Sequence, residues 1–214
     1  MSLWRPRYAL SKAGAAAEVV ASLLLDKNGS RSVAECLHQG LETYCGQLTS
    51  IMYLSGPAMC PSLNHRCLED RDAVDTLLLR RLHWPSRRNV NVGDVIALDS
   101  PYRYGDESSI LVRRVGALEG EKLVSDSPFE YLLVPPGHCW VVADNPKLEP
   151  PDVADSRYFG PVPFENVRGR VIYNGYSPQD HGPVMNSKRS MLQDGPVLEC
   201  ELDLYKMFPD SKAP

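Results

Sequence analysis

The sequence predicts a mainly β domain with one N-terminal helix, and three observations support this prediction. Seven short apolar runs are separated by Gly, Pro and Asp residues, a pattern typical of strands joined by turns. Proline is frequent, at 18 of 214 residues, and it interrupts long helices. One stretch, residues 33–48, repeats its apolar residues at helical spacing instead. Many strands after a single helix indicate an all-β core.

The helix is predicted from apolar residues that are spaced by four, four, three and four positions: Val33, Leu37, Leu41, Tyr44 and Leu48. This spacing places them on one side of a helix, where they would face the core. Gly40 weakens the prediction, because glycine disfavours helix interiors. Glu35 and Glu42 are expected to face outward.

The strands are predicted at the seven apolar runs, which are residues 49–54, 76–82, 92–98, 110–118, 131–134, 139–143 and 167–173. A helix is not excluded for the second run. We therefore expect a central domain at residues 31–175, after an N-terminal segment at 1–30. A C-terminal extension at 176–214 is polar with a late apolar patch, and it either packs on the domain or is partly disordered.

The N-terminal segment carries Arg5, Arg7 and Lys12 and no acidic residue among its first seventeen positions. This composition is compatible with an organellar transit peptide and equally with an ordinary basic tail. The most apolar stretch, residues 13–25, is short and contains Glu18, whereas a membrane span needs about 20 apolar residues. We therefore expect no transmembrane segment, with peripheral membrane attachment left open.

The bulk charge and the cysteines exclude several classes of function. A formal net charge of −4 is not that of a typical nucleic-acid-binding protein. The six cysteines form no CxxC pair, and the spacing of Cys60, His65 and Cys67 matches no common zinc site. We expect reduced thiols in a non-oxidising compartment, no metal and no cofactor.

Four segments follow one another in the order of the motifs of a known family. Residues 56–63 read Gly-Pro-Ala-Met-Cys-Pro-Ser-Leu, similar to Gly-x-Ser-Met-x-Pro-Thr/Ser-Leu. Residues 93–96, Gly-Asp-Val-Ile, resemble a Gly-Asp-Ile-Val strand. Residues 111–121 resemble a segment that begins with Lys-Arg and ends with Gly-Asp. Residues 143–145 and 155–162 resemble Gly-Asp-Asn followed by Ser-x-Asp-Ser-Arg-x-x-Gly-x-Val.

Together these motifs resemble the type I signal peptidase family, in particular its mitochondrial inner membrane protease kind. The resemblance covers residues 56–173 and implies a signal-peptidase-type domain of coiled antiparallel β-sheets. It also implies a serine-type endopeptidase that processes signal or targeting sequences at the mitochondrial inner membrane. In such Ser-Lys hydrolases a serine hydroxyl attacks the scissile carbonyl and a neutral lysine takes up its proton.

The residues that should perform this chemistry are substituted. The match puts the nucleophile at Ala58, the base at Arg113 and the base-orienting serine at Val153, with Gly120 fixing the register of the second position. A methyl group cannot attack a carbonyl, and an arginine keeps its proton in proteins. The resemblance therefore predicts a pseudoprotease, since the loss of such a dyad costs on the order of 10^6-fold in rate.

Three readings of the function stay open. A pseudoprotease would bind an extended peptide, or presequence, or an active related protease subunit. The alternative is an active endopeptidase that uses another nucleophile, and the candidates are Cys60 and Ser62 with Lys122 or Lys147 as a base. A third reading is a scaffold protein with a closed site.

Several preserved residues of the motifs are expected to have structural roles around the site: Gly56, Met59, Pro61, Asp144, Asn145, Asp155, Ser156, Arg157 and Gly160. Gly56 and Gly160 would permit tight turns, and Met59 would pack beneath the nucleophile position. Asp155 and Arg157 are expected to form an ion pair. A buried Arg113 needs a carboxylate or solvent, and Glu121 is the candidate partner.

Overall fold

The computed structural model describes residues 6–26, 31–101, 110–124, 131–150 and 152–209. Within these residues the α-helices are α1 (Pro6–Leu25), α2 (Val33–Cys45), α3 (Ser156–Phe159), α4 (Lys188–Glu201) and α5 (Leu204–Met207). The strands are β1 (Thr49–Ser55), β2 (Val74–Arg81), β3 (Val95–Asp99), β4 (Ile110–Leu118), β5 (Lys122–Val124), β6 (Tyr131–Leu133), β7 (His138–Val142), β8 (Val162–Pro163), β9 (Val167–Ser177) and β10 (Asp180–Pro183).

The strands form a mainly antiparallel β domain, as the sequence predicts. The main sheet has the order β1-β2-β9-β3-β4-β7-β8, with β10 also paired to β9, while β5 and β6 form a separate pair. All pairings are antiparallel, and bulges interrupt the β2–β9, β3–β9 and β4–β7 registers. Bulges increase the local twist, which suits a coiled sheet. The run at 76–82, for which a helix was not excluded, is strand β2.

Two hydrophobic clusters make up the centre of the domain. One contains Ile96, Leu98, Val115 and Val141, with other buried residues of β3, β4 and β7. The other joins strands β2, β3, β4 and β9 to Met59 and Leu63, which follow β1. The segment that carries the nucleophile motif is therefore anchored in the core.

Helix α1 is a finding that the sequence patterns did not indicate. It has 20 residues, and by length and composition it could cross a membrane, although a signal sequence or a core helix passes the same test. Only 6% of its most apolar window is buried within the protein. The apolar stretch at residues 13–25, which was judged too short to span a membrane, is part of this longer helix that begins at Pro6, so length alone does not support the expectation of no transmembrane segment. Arg5 of the predicted basic segment lies outside the described residues.

Helix α2 confirms the predicted helix but buries its other face. Val33, Leu37 and Leu41 are each about 60% exposed, and the buried residues are Cys36 and Gly40. A Cβ at Gly40 would lie 2.5 Å from Val20 Cγ2, so glycine allows α1 and α2 to pack closely. Gly40 thus serves helix packing, and the predicted apolar side faces outward.

Glu35 and Glu42 are exposed, as expected, but Glu35 also caps α2. The Ser32 Oγ accepts the Glu35 N–H at 3.2 Å, and Glu35 Oε2 accepts the Ser32 N–H at 2.7 Å. This reciprocal pair satisfies two backbone donors at the helix N-terminus and defines where α2 begins.

The C-terminal helices pack on the domain, which answers the alternative left open for residues 188–209. The buried carboxylate of Glu201 accepts hydrogen bonds from the Leu48 and Thr49 N–H groups, each at 2.9 Å, and from the Tyr8 hydroxyl. This joins α4 to α1 and to the start of β1. Met207 of α5 packs with Leu78 of β2 and with Ile172 and Tyr173 of β9.

Candidate active site

Ala58 lies in the loop that follows β1, and hydrogen bonds from Asn145 fix its backbone on one side of the loop. Gly56 has φ +83°, a conformation that glycine adopts without steric cost, and it turns the chain out of β1. The Asn145 N–H donates to the Ala58 carbonyl at 3.1 Å, and Asn145 Nδ2 donates to the Pro57 carbonyl at 2.9 Å. Met59 is fully buried beneath this loop.

The same loop is held from the other side by Asn64, which the sequence reasoning missed. Its N–H donates to Asp75 at 2.6 Å, and its Nδ2 donates to the Gly56 and Ala73 carbonyls. Asn64 has φ +50°, and asparagine is among the residues that tolerate this region best. The sequence signal for this role was an asparagine directly after the motif at residues 56–63, because asparagine is common in turns.

Arg113 lies on β4, opposite Ile96 of β3, and is only 6% exposed. Its Nε donates to the Ala154 carbonyl at 2.8 Å, and its Nη1 donates to the Val112 carbonyl at 2.6 Å. The guanidinium therefore reaches the segment next to Val153, which is itself buried. The two positions that the motif match assigns to the base and to its orienting serine are therefore close together in the fold.

The electrostatic environment of Arg113 differs from the sequence expectation. Among the described residues no carboxylate forms a salt bridge with it, and the Glu121 carboxylate accepts the Leu118 N–H at 2.8 Å instead. Glu121, the candidate partner, therefore does not pair with Arg113, since its carboxylate caps the turn after β4. Burial lowers the pKa of Arg113, and the nearby Asp155 carboxylate opposes this shift. The guanidinium stays protonated, because arginine does not deprotonate in proteins.

Asp155 connects the two segments that hold these positions. Its buried carboxylate accepts the Ala143 N–H at 3.0 Å and forms the ion pair with Arg157, whose Nη2 lies 2.7 Å away. Ser156 Oγ accepts the Val141 N–H at 2.8 Å. The loop after β7, which fixes Ala58, is thereby joined to the loop that receives Arg113.

Asp144, for which the sequence predicts a structural role, forms a two-point ion pair with Arg114. The Arg114 guanidinium donates to both of its carboxylate oxygens, at 2.8 and 2.6 Å, and also to the Gly93 and Met185 carbonyls. Successive side chains of a strand point to opposite faces. Arg113 and Arg114 therefore leave β4 on opposite sides, one toward Ala154 and one toward Asp144.

The proposed substitute nucleophiles lack the environment that they need. Cys60 is buried, its Sγ donates to the Asn64 carbonyl at 2.9 Å, and burial raises the pKa of its thiol. A reactive cysteine needs a lowered pKa instead. Ser62 and Lys147 are exposed, and Lys122 lies over the Tyr131 ring at 4.9 Å. No described contact joins any of the four to a dyad partner.

The described part of the chain contains no group of three His, Cys, Asp or Glu side chains placed to hold a metal ion. Cys60 and Cys67 of the sequence cluster are buried free thiols, while His65 lies at the surface 3.8 Å from Asp180.

We expect Asp155→Asn to reduce the free energy of unfolding by about 2–3 kcal/mol at pH 7, since it removes a charge-assisted pair from a buried position. Burial alone would raise the pKa of Asp155, but the hydrogen bonds from Arg157 and Ala143 outweigh it and the pKa is lowered. This contribution is therefore present at neutral pH and is lost as the pH falls below about 4 toward the folded pKa.

Urea denaturation at pH 7 and at acidic pH checks this expectation. The difference between wild type and Asp155→Asn should shrink on acidification. Asp180→Asn is the matched control, because that carboxylate is 39% exposed in its pair with Arg66 and should matter by less than about 1 kcal/mol. Equal effects of the two substitutions would contradict the assigned role of Asp155.

A search against protein-family models finds no match. Individual proteins do match. The chain is 37% identical over 171 residues to mitochondrial ATP-independent inner membrane protease subunit 2 of Arabidopsis thaliana, covering 79% of this chain and 78% of that protein. It is 32% identical to mitochondrial inner membrane protease subunit 1 of Mus musculus, with 64% and 75% covered. The human subunit 1 is 29% identical, with 71% and 86% covered.

The similarity spans the motif region and agrees with the antiparallel sheet on which those motifs meet. Because the chain shares 37% identity with the Arabidopsis relative over more than three quarters of both sequences, it belongs to the signal-peptidase-like family of mitochondrial inner membrane protease subunits.

Proposed function

We propose that this chain is a proteolytically inactive member of its family that binds an extended peptide. The observation that carries the proposal is the buried guanidinium of Arg113 at the base position, with its Nε committed to the Ala154 carbonyl. Acyl transfer to a serine needs a base that can accept the proton of the hydroxyl. Here the base position holds a permanent cation and the nucleophile position, Ala58, holds a methyl group.

Strand β1 supports the peptide-binding half of the proposal. It is the terminal strand of the main sheet, and among the described residues only β2 pairs with it. Beyond Thr49, whose N–H donates to Glu201, its other edge therefore offers backbone donors and acceptors to an added strand. The strand leads through Gly56 into the loop of Ala58, so a peptide along this edge would pass the former nucleophile position. Tyr53 and Ser55 are exposed on the strand.

We further propose that the peptide is a presequence or signal sequence and that the chain acts beside an active related protease subunit at the mitochondrial inner membrane. The relatives are named as subunits of inner membrane proteases, which supports this assignment. The exposed row on α2, formed by Val33, Leu37 and Leu41, is an apolar surface that a partner or a membrane would cover.

The test measures binding and cleavage of presequence peptides by the purified wild-type chain. We expect saturable binding without turnover. An N-methylated copy of each peptide, blocked at alternate amides, is the control, because it keeps the side chains but loses the donors for strand addition. The loss of about three hydrogen bonds of ~1 kcal/mol each should weaken binding by about a hundredfold.

Turnover by the wild type would reject the inactive assignment. Equal affinity for the N-methylated and unmodified peptides would reject strand addition. The partner is tested separately, by light scattering of the chain alone and mixed with a purified active subunit of the family. We expect the mixture to form a heterodimer, and we expect the triple change Val33→Ser, Leu37→Ser, Leu41→Ser to abolish it. If both proteins stay monomeric in the mixture, the partner assignment is rejected.

A further inference from the structure

A cleft of about 380 Å³ lies between α1, the end of β2 and α4, and none of its lining residues belongs to the site around Ala58 and Arg113. Its charges are unusual. Five guanidinium groups face two carboxylates, and these side chains are Arg7, Arg80, Arg81, Arg88 and Arg170 against Glu18 and Asp194. The protein as a whole is acidic, so this concentration of arginine is local.

The carboxylate of Asp194 does not neutralise the cleft, because Arg170 already uses it. Arg170 is 1% exposed, and its Nε donates to Asp194 Oδ2 at 2.6 Å while its Nη1 donates to Asp94 at 3.0 Å. Arg80 lies 3.9 Å from Asp194 Oδ1, beyond hydrogen-bond distance. Arg170 is thus internally paired, and the remaining arginines supply the positive charge of the cleft.

Arg80 is the most informative of these residues. It is 9% exposed, and its Nη1 donates to the carbonyl of Arg81 at 2.9 Å. Burying a guanidinium costs free energy unless a close anion compensates it. Asp194 is shared with Arg170, and the Glu18 and Glu201 carboxylates also lie near enough to act on Arg80. A bound anion would add to this compensation and accept the guanidinium N–H groups that these carboxylates leave free of hydrogen bonds. Arg7 and Arg88 stand at the rim, exposed, and neither forms an ion pair with a described residue.

We propose that this cleft binds a phosphate ester group. Arginine forks match the oxygens of a phosphate in a bidentate geometry, and a phosphate ester carries one to two negative charges, which the excess of arginine would balance. Leu10, Leu82 and Leu192 line the same cleft and suit the organic part of such a ligand. The phosphate can belong to a lipid headgroup or to a soluble ester.

Such a ligand would contact α1 and the rest of the domain at once. Gly14 and Ala15 bring α1 against the cleft, β2 contributes Arg80 and Arg81, and α4 contributes Leu192. The binding of the ligand would therefore hold α1 in place beside the bond from Tyr8 to Glu201. Because the attraction is electrostatic and the rim is exposed, binding should weaken as the salt concentration rises.

The test uses the full chain and the variants Arg88→Ala and Arg87→Ala. Arg88 lines the cleft, whereas its neighbour Arg87 points away and donates to the Glu119 carbonyl at 3.1 Å. The two variants lose the same charge at adjacent positions. Binding of inorganic phosphate and glycerol phosphate is measured by calorimetry. Binding to vesicles is measured by flotation, with phosphatidylcholine alone and with phosphatidylcholine mixed with phosphatidylglycerol.

We expect Arg88→Ala to weaken binding by about tenfold or more, as for a lost charged hydrogen-bond donor, and Arg87→Ala to leave it unchanged. Binding of the soluble compounds would identify a soluble ester as the ligand, and binding of the mixed vesicles alone would identify a lipid headgroup. Absence of binding to every probe, or equal weakening by both variants, would overturn the proposal.

Discussion

The combined change Ala58→Ser, Arg113→Lys, Val153→Ser is expected to turn an inert chain into an endopeptidase that cleaves presequence peptides. Full loss of a serine and its base costs on the order of 10^6-fold in rate, so even partial recovery should exceed wild type by about 10^3-fold. The scaffold is suited to this change, because Asn145 holds the carbonyl of Ala58 and Arg113 already reaches the segment of Val153.

The protonation state of the introduced lysine decides the result. Position 113 is almost fully buried, and burial lowers the pKa of a lysine toward the range in which it can act as a base. The nearby Asp155 acts in the opposite direction. Cleavage by the triple variant should therefore increase with pH, as more of the lysine becomes neutral.

The single changes should each remain inert, because nucleophile and base act as a unit. The matched control is the double variant Arg113→Lys, Val153→Ser, which has the base without the nucleophile. Cleavage of a fluorogenic presequence peptide is the measurement. Cleavage by this control, or cleavage by wild type that Cys60→Ala abolishes, would show that the chemistry lies elsewhere.

The second large effect is expected for Asp94→Ala, which should reduce the free energy of unfolding by about 3–5 kcal/mol. Asp94 is fully buried at the start of β3. Its Oδ2 accepts hydrogen bonds from Arg170, Ser190 and Asn91 at 3.0, 2.7 and 2.9 Å. Its removal leaves the buried Arg170 with Asp194 as its one ion-pair partner among the described residues, and it removes the bonds that hold Ser187 and Ser190, at the start of α4, to the sheet.

Asp99→Ala is the control for this prediction. Asp99 lies at the other end of the same strand and also pairs with an arginine, but Arg168 is 58% exposed, so the loss should stay under about 1 kcal/mol. Urea denaturation followed by circular dichroism measures both variants. Similar urea midpoints for Asp94→Ala and Asp99→Ala would contradict the larger contribution of the buried carboxylate. If Asp94→Ala does not fold, Asp94→Asn is measured in its place.

Much of the sheet could be predicted from local sequence, because strand formation depends on short apolar runs bounded by turn residues. Residues 110–118 were predicted as a strand and form β4 with the same bounds. The run at 92–98 begins later, at Val95, because Gly93 adopts φ +91° and Asp94 turns inward. The helix at 33–48 was found, and its end moved to Cys45.

The helices outside that stretch could not be predicted in the same way. Helix α4 contains Gly195 and Pro196, which both disfavour a helix interior, and burial of Val197 and Glu201 against distant partners overrides this preference. The orientation of α2 could not be predicted for the same reason. The spacing of its apolar residues shows which of them share a side of the helix, but it does not show which side packs on another element.

The sequence by itself determined the family and most strand positions, and it predicts that Ala58, Arg113 and Val153 replace catalytic residues, since these inferences depend on residue identity and order. Tertiary structure alone decided that Arg113 donates to Ala154 rather than to Glu121, and that Tyr8 meets Glu201 across the length of the chain. Contacts of this kind form between residues far apart in sequence, and only the folded sheet brings them within bonding distance.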